Sequence, residues 1–392
     1  MKNVKVVRTS TIPLSLNILL KGQLSFLKEK FDIVGISSNN DDLKEVAYRE
    51  GIHTIAVDME RSIAPFRDII SLIKLVKIFK REKPLIVHSI TPKAGLLTML
   101  AGKMAGVPIR MHTFTGLIFP TRTGLMQKLL IKMDQLLCWS ATNIYPEGNG
   151  VKNDLMSFRI TNKPLKVLAN GNVNGIDLKY YSSTSVVNDE VNRLKEDLEI
   201  HQDSFIFVFV GRLVGDKGIN ELVHAFDKIQ KTIDKSIKLL LVGSLEAELD
   251  PLLNSTLNII NSNKDIISVG FQKDVRPYFA ISDALVFPSY REGFPNVVMQ
   301  AGAMELPSIV SDINGCNEII VEGVNGTIIP VKNTEAIRAA MFKFLNDKDY
   351  YHKLKKNSRQ MITERYEQHV VWNALLEEYN TLIAQYEKSK KK

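Results

Sequence analysis

Short apolar runs, each ended by Gly, Ser or Pro, recur along this chain with helical stretches between them, and no other feature limits its possible folds as strongly. In the first half the runs are Lys5–Thr9, Ile33–Ser37, Leu85–Ser89 and Ile109–His112, with helical stretches at Ile69–Lys83 and Ala94–Ala105. The second half repeats the plan at Phe205–Gly211, Lys238–Gly243, Ile266–Gly270, Ala284–Pro288, Ser308–Ser311 and Thr327–Pro330, with helices including Asn220–Ile233 and Val297–Met304. Strands alternating with helices make a parallel α/β sheet, and the doubled pattern predicts two doubly wound, Rossmann-like domains in succession. A length of 392 residues agrees, since a domain takes roughly 100–200. The turn-rich Asn170–Gly175 and the polar Ser182–Asn192 place the junction within residues 172–203. The expected divisions are residues 1–175, residues 200–365, and a helix with a basic tail over 366–392 that ends in a solvated, frayed Lys388–Lys392.

Composition narrows the class. With 45% apolar and 24% charged residues the chain is neither disordered nor collagen-like. Cys138 and Cys316 stand alone, which fits a reducing compartment and offers no zinc-ligand spacing. The formal charge of +8 is uneven: residues 1–180 carry 26 basic against 14 acidic side chains, and residues 181–392 carry 25 against 29. The first half is therefore the side expected to meet an anionic surface. No run approaches the roughly 18 apolar residues of a membrane span, and Ile12–Leu20, broken by Pro13, Ser15 and Asn17, does not make a signal peptide. A cytoplasmic protein is expected.

Three motifs fail on inspection. Gly148-Asn149-Gly150 lacks the third Gly of a dinucleotide fingerprint and the first-strand position it requires. Gly211–Gly218 resembles a P-loop out of register, with Gly218 where Ser or Thr would hold magnesium. Asp347-Lys348-Asp349 has the spacing of a metal-binding carboxylate pair but lies in a polar segment between helices.

The chemistry is expected after the strands of the second half, because open α/β sheets bind ligands at the C-terminal ends of their strands. After the first of these strands, Gly211 lets the backbone approach a ligand, and Arg212 and Lys217 offer a planar fork and a mobile point charge suited to a diphosphate. In Phe287–Glu305 a strand ends at Pro288, Glu292 follows in a loop, and a helix begins at Pro295–Asn296. The Asn296 and Val297 N–H groups would make an anion site at that helix start. Glu292 either accepts hydrogen bonds from a neutral polyol such as a sugar or simply caps the helix. The loop Ser311–Glu318 either lines the same cleft or makes a turn.

Together, Gly-Arg-Leu-x3-Lys-Gly, Phe-Pro-Ser-x2-Glu-Gly-Phe-Pro and the small-residue helix after them resemble glycosyltransferase family 4, retaining enzymes of the two-Rossmann-domain GT-B architecture. The segments Ile86–Gly95 and His112–Gly116 resemble its capsular-polysaccharide subgroup. The resemblance implies a central cleft between the domains and a C-terminal helix that returns to the first domain. It implies that Arg212 and Lys217 hold the donor diphosphate, with Gly211 beside it, and that Glu292 contacts the donor sugar. It gives His112, at a strand end facing the cleft, a contact to that sugar, so His112, Glu292, Arg212 and Lys217 are the catalytic set. His88 and Lys93 fall in the segment lying near the acceptor.

Two positions depart from the family pattern. Gln300 stands where a second Glu would bind the ribose, so that bond loses its charge and weakens by about 1 kcal/mol. The loop Ser10–Ser15 has none of the usual Gly. The implied reaction is transfer of a sugar from a nucleotide sugar, a UDP-sugar in the first place, to a polyprenyl-diphosphate-linked or glycan acceptor, with no metal, no cofactor and no nucleic acid. The basic stretch Leu72–Lys83 either lies on an anionic inner leaflet, making the protein peripheral at the plasma membrane, or covers a sheet with its charges in solvent. A nucleotide-sugar epimerase of the same architecture and a non-catalytic sugar-nucleotide-binding protein are the competing readings.

Overall fold

The backbone of the chain winds through two six-stranded parallel sheets, seen in a computed structural model that describes residues 4–391 apart from 61, 247 and 249. Contacts divide it into two units, Met1–Gly175 with Gln368–Lys392, and Ile176–Glu367.

In the first unit the strands are β1 (Lys5–Thr9), β2 (Asp32–Ser37), β3 (His53–Ala56), β4 (Ile86–Ser89), β5 (Ile109–Phe114) and β6 (Asn143–Pro146), in the spatial order β3-β2-β1-β4-β5-β6. In the second they are β7 (Phe205–Val210), β8 (Ile237–Val242), β9 (Ile266–Gly270), β10 (Ala284–Phe287), β11 (Ser308–Ser311) and β12 (Gly326–Ile329), ordered β12-β11-β10-β7-β8-β9. Both are the doubly wound order, and the expected α/β architecture holds. The strand order reverses between β1 and β4 in one sheet and between β7 and β10 in the other, and those are the crevices where such sheets take ligands.

The expected runs in the second half coincide with β7 to β12. In the first half the edge strands β3 and β6 were not anticipated, because His53-Thr-Ile-Ala and Asn143-Ile-Tyr-Pro mix polar residues and Pro into runs of four. Strand β5 continues two residues past His112, to Phe114. The helix Gly124–Ser140 also had no place in the expected pattern.

Strand alternation sorts the first sheet into two faces. Val7, Val87, Phe114 and Ile144 pack with the helices Pro65–Glu82, Pro92–Met104 and Gly124–Ser140. Val6, Ile86, Met111 and Tyr145 pack with Leu375, Tyr379 and Leu382 of the helix Gln368–Lys390. The C-terminal helix thus does return to the first unit. It runs helical through Lys390, so the anticipated fraying does not begin at Lys388; Lys392 lies outside the described residues.

That helix is anchored by polar bonds under the sheet. Arg8 is fully buried and its Nη1 donates to Gln23 Oε1 at 3.0 Å and to Tyr379 Oη at 3.1 Å. Tyr379 Oη also meets His88 Nδ1 at 2.7 Å, and His88 Nε2 meets Thr113 Oγ1 at 2.7 Å. One hydroxyl therefore joins the C-terminal helix to β1 and β4. Removing it leaves buried groups short of a partner, so Tyr379→Phe is expected to destabilise the protein by about 1–3 kcal/mol, read from the denaturant midpoint.

Candidate functional site

The loops after β7 and β10 flank the crevice of the second sheet, and the expected donor residues lie on them. The loop after β7 runs through Arg212, a 3-10 turn Gly215–Lys217 and Gly218, then enters the helix Ile219–Gln230. Gly218 has φ +70°, and a Cβ there would sit 2.2 Å from the Pro288 carbonyl oxygen, so only Gly lets the two loops touch. Tyr290 N donates to Asp216 O at 2.8 Å, the Arg291 guanidinium reaches Asp216 Oδ2 at 2.8 Å, and Tyr290 Oη donates to Glu221 at 2.7 Å. The two loops form one braced platform.

On that platform Lys217 Nζ and Glu292 Oε1 form an ion pair, both side chains largely buried. The fully buried Ser289 donates to the same Glu292 oxygen at 2.9 Å. Glu292 therefore pairs with a lysine and does not cap the following helix. The Cys316 thiol lies close below, pushed well above its ordinary value by burial and by the Glu292 charge. A cation that also faces a carboxylate is held in place without a large net charge. It is ready for an anion, while the carboxylate keeps acceptor capacity for hydroxyl donors.

Arg212 is placed differently: its Nη1 bonds Glu246 Oε2 at 3.0 Å, in the loop after β8, and the side chain is half exposed. The helix Asn296–Ala303 starts where expected, after Pro295, with Asn296 and Val297 in its first turn. Gln300 engages the Tyr181 hydroxyl. Asn317 donates to Asp312 in the loop after β11, and Asp347 caps the helix Lys348–Tyr366 through Tyr350 N, which accounts for the Asp-x-Asp spacing. Ser289, Glu246, Tyr181 and the Asp216–Arg291 pair were not singled out in the sequence. Ser289, Asp216 and Arg291 fall inside the two loop segments already noted, whereas Glu246 and Tyr181 have no such signal.

In the first unit the site candidates are enclosed. His112 is buried inside β5, not at its end, with Nδ1 2.8 Å from Ser89 Oγ. A Cβ on Gly95 would strike its ring at 2.4 Å, so Gly95 makes the space that the imidazole fills. Burial lowers His112 from 6.5 to about 3, and it pushes His88 well below 6.5 with help from the Arg8 charge. The two histidines lie on opposite faces of the sheet, His112 toward the helix Pro92–Met104 and His88 toward Tyr379. His88 borders a pocket of about 20 Å³ with Arg8, Gln23, Thr113, Tyr145 and Glu147, enough room for a single water. Lys93 is nearly buried and bound to Asp68 at 2.8 Å, tying two helices together. Of the Gly-free stretch Ser10–Ser15, Pro13 to Ser15 already belong to the helix Pro13–Leu19, and the remaining loop is closed over by Thr11, whose N–H donates to Thr91 Oγ1 at 2.8 Å across the β1–β4 crevice.

Comparison with known proteins agrees with this layout. Residues 15–147 match the "Glycosyl transferase 4-like" family and residues 190–361 match "Glycosyl transferases group 1". The capsular polysaccharide biosynthesis glycosyltransferase CapM of Staphylococcus aureus is 32% identical over 99% of this chain and 100% of its own length. The chain belongs to glycosyltransferase family 4, in its capsular-polysaccharide branch. An Escherichia coli relative, UDP-Gal:alpha-D-GlcNAc-diphosphoundecaprenol alpha-1,3-galactosyltransferase, is 29% identical over 77% of this chain and 76% of its own length. A glycosyltransferase structure from Rickettsia africae superposes with a TM-score of 0.80 at 19% identity, covering 98% of this chain and 99% of that one. Anabaena HepE in complex with UDP and glucose superposes with a TM-score of 0.79 at 14% identity, covering 97% and 100%. These two show the GT-B fold in common. The protein is a glycosyltransferase enzyme and not an epimerase.

The buried histidine gives a pH test. An unfolded imidazole takes its proton near 6.5 and the folded His112 not until about 3, so the unfolded state binds more protons in that window and stability falls as pH drops through it. His112→Asn removes this term. Between about pH 7.5 and about pH 5 the variant should lose about 2 kcal/mol less stability than the parent, measured by urea unfolding.

Proposed function

We propose that this glycosyltransferase moves a sugar, with retention, from a UDP-sugar to a polyprenyl-diphosphate-linked acceptor during assembly of a bacterial surface polysaccharide, at the cytoplasmic face of the plasma membrane. The observation that carries the donor half is the Lys217–Glu292–Ser289 cluster at the crevice between β7 and β10. Cleavage of the sugar–phosphate bond puts negative charge on the leaving diphosphate, and a lysine fixed beside it stabilises that charge most in the transition state. In this reading Lys217 turns from Glu292 to the diphosphate, and Arg212 joins it by leaving its exposed partner Glu246. Exposed pairs of that kind contribute little, so the exchange is inexpensive.

Glu292, freed from the lysine but held by Ser289, accepts hydroxyls of the donor sugar. The N–H groups at the start of the helix Asn296–Ala303 add a partial positive charge at the same edge. Gln300 would reach the ribose only by giving up Tyr181. Attack comes from the face the leaving group departs, with the leaving phosphate oxygen taking the acceptor proton, and the protein supplies no nucleophile. His112, shut behind Gly95 and neutral, packs under the first turn of the helix Pro92–Met104 and offers no free ring face to a sugar as it stands.

The acceptor half is supported by the relatives. Besides the diphosphoundecaprenol-dependent galactosyltransferase, a Campylobacter jejuni N-acetylgalactosaminyltransferase named for a diphospho-undecaprenol acceptor is 25% identical over 91% of this chain.

Lys217→Ala is expected to lower donor turnover by about 100-fold or more, the usual effect of deleting one preorganised donor to a developing anion. A loss of only a few-fold, measured by release of UDP, removes Lys217 from the diphosphate. With cations doing the work of a metal, transfer should proceed unchanged in EDTA. Abolition by EDTA with recovery on adding magnesium would contradict that part.

A further inference from the structure

We propose that the helix Gly124–Ser140, together with the N-terminal half of the helix Pro65–Glu82, is a docking surface for an anionic lipid bilayer. The choice of a bilayer rests on the lipid-linked-acceptor reading; the surface itself rests on what the two helices leave uncovered.

The helix Gly124–Ser140 has two apolar faces and the fold uses one. Leu130, Ile131, Leu137 and Cys138 pack into the core of the first unit. On the other side Leu125, Leu129, Leu136 and Trp139 are spaced four, seven and three apart, so they form one stripe along the whole helix. Leu125 is 85% exposed and Trp139 61%. Lys132 completes the stripe and Lys128 borders it, both in solvent. An indole at one end of an apolar stripe with lysines beside it suits the boundary between headgroups and acyl chains.

The second helix contributes only part of its length. The stretch Leu72–Lys83, the expected membrane contact, spends Leu75, Ile78 and Phe79 on the core, so its apolar side is not available to a bilayer. The preceding turns are different: Phe66 is 86% exposed, and Ile69, Ile70 and Ile73 follow it at helical spacing with about half of their surface in solvent. Both helices pack against the largely buried helix Pro92–Met104 between them and so share one side of the first sheet. Crossover helices run back against parallel strands, so their N-terminal ends lie at the strands' C-terminal edge, where a sheet of this kind binds ligand.

Charge selects an anionic partner. Residues 61–140 contain 13 basic and 3 acidic side chains. Asp68 is taken by Lys93 and Glu82 by Lys5, and burial raises Asp134 to about 7. The cations at Lys74, Lys77, Lys128 and Lys132 therefore face solvent with little opposing charge. Apolar side chains as exposed as Phe66 and Leu125 do nothing for a nucleic acid, whereas a bilayer takes both features at once.

The test is flotation of the full chain with vesicles of phosphatidylcholine alone and of phosphatidylcholine mixed with phosphatidylglycerol. Binding is expected to the mixed vesicles and to weaken with salt. Lys128→Ala with Lys132→Ala should weaken it about thirtyfold, from about 1 kcal/mol per basic residue, and Leu125→Glu with Phe66→Ser should abolish it. All four positions are exposed, so unchanged urea midpoints and UDP release show that the variants are folded. Failure of the parent to float, equal binding to both vesicle types, or variants that bind like the parent each overturn the surface. So does self-association of the parent that the same variants abolish, if vesicle binding is absent. Transfer to an acceptor dissolved in detergent separates the two readings: no vesicle binding with intact transfer rejects the surface alone. Vesicle binding with no transfer to any lipid-linked acceptor rejects the acceptor alone.

Discussion

Parallel pairing is the constraint from which the rest of this molecule follows. Parallel strands cannot be joined by tight hairpins, so the connections cross the faces of the sheet as helices and the central strands β1, β4, β7 and β10 are covered on both sides. Polar groups that must stay available are driven to the loops at the strands' C-terminal edge. Both sheets adopt the same order and each has a point where the order reverses. In the second unit that point is braced by two loops and holds an ion pair, Lys217 with Glu292. In the first it is closed by the Thr11–Thr91 bond.

The two units thus use one architecture with opposite electrostatics. The second holds a few placed charges, each already provided with an exchangeable or supporting partner: Glu246 for Arg212, Glu292 for Lys217, Ser289 for Glu292. In the proposed reading a diphosphate replaces Glu246 and Glu292, which are side chains at a loop edge and not parts of the core. The first unit carries the excess of positive charge, and one interior polar network is committed to holding the fold together. Arg8, Tyr379, His88 and Thr113 form a buried chain that secures the C-terminal helix. Removing one member would leave its partner buried and unbonded, which is unfavourable by about 1–3 kcal/mol, so these residues secure one another. The spare cations of the first unit are on its helices, beside exposed apolar side chains.

Much of the site was legible as a line of residues, and its pairing was not. Arg212, Lys217, Glu292 and the start of the helix at Asn296 lie where strand, loop and helix succession put them. Glu292 could be read as a helix cap or a polyol acceptor, and its actual partner, Lys217, is 75 residues away in the chain. Gln300 reads as an uncharged substitute for Glu, yet nothing near it in sequence points to Tyr181. In sequence the apolar run stops at His112, which reads as a strand end. The strand continues because Thr113 and Phe114 pair with Tyr145 and Pro146 of β6, an edge strand too short and too polar to announce itself.

The amino-acid sequence alone determined the alternation of strand and helix, the division into two α/β units, the loop positions of the charges proposed to hold the donor, and the family. These are local properties: periodicity, turn chemistry and short motifs fall within a few residues of one another. Only the tertiary structure decided which face each side chain of the first sheet took, which partner each charge found, and which apolar face of the helix Gly124–Ser140 stayed in solvent. Those depend on neighbours brought in by sheet order and by a helix more than 200 residues further along the chain.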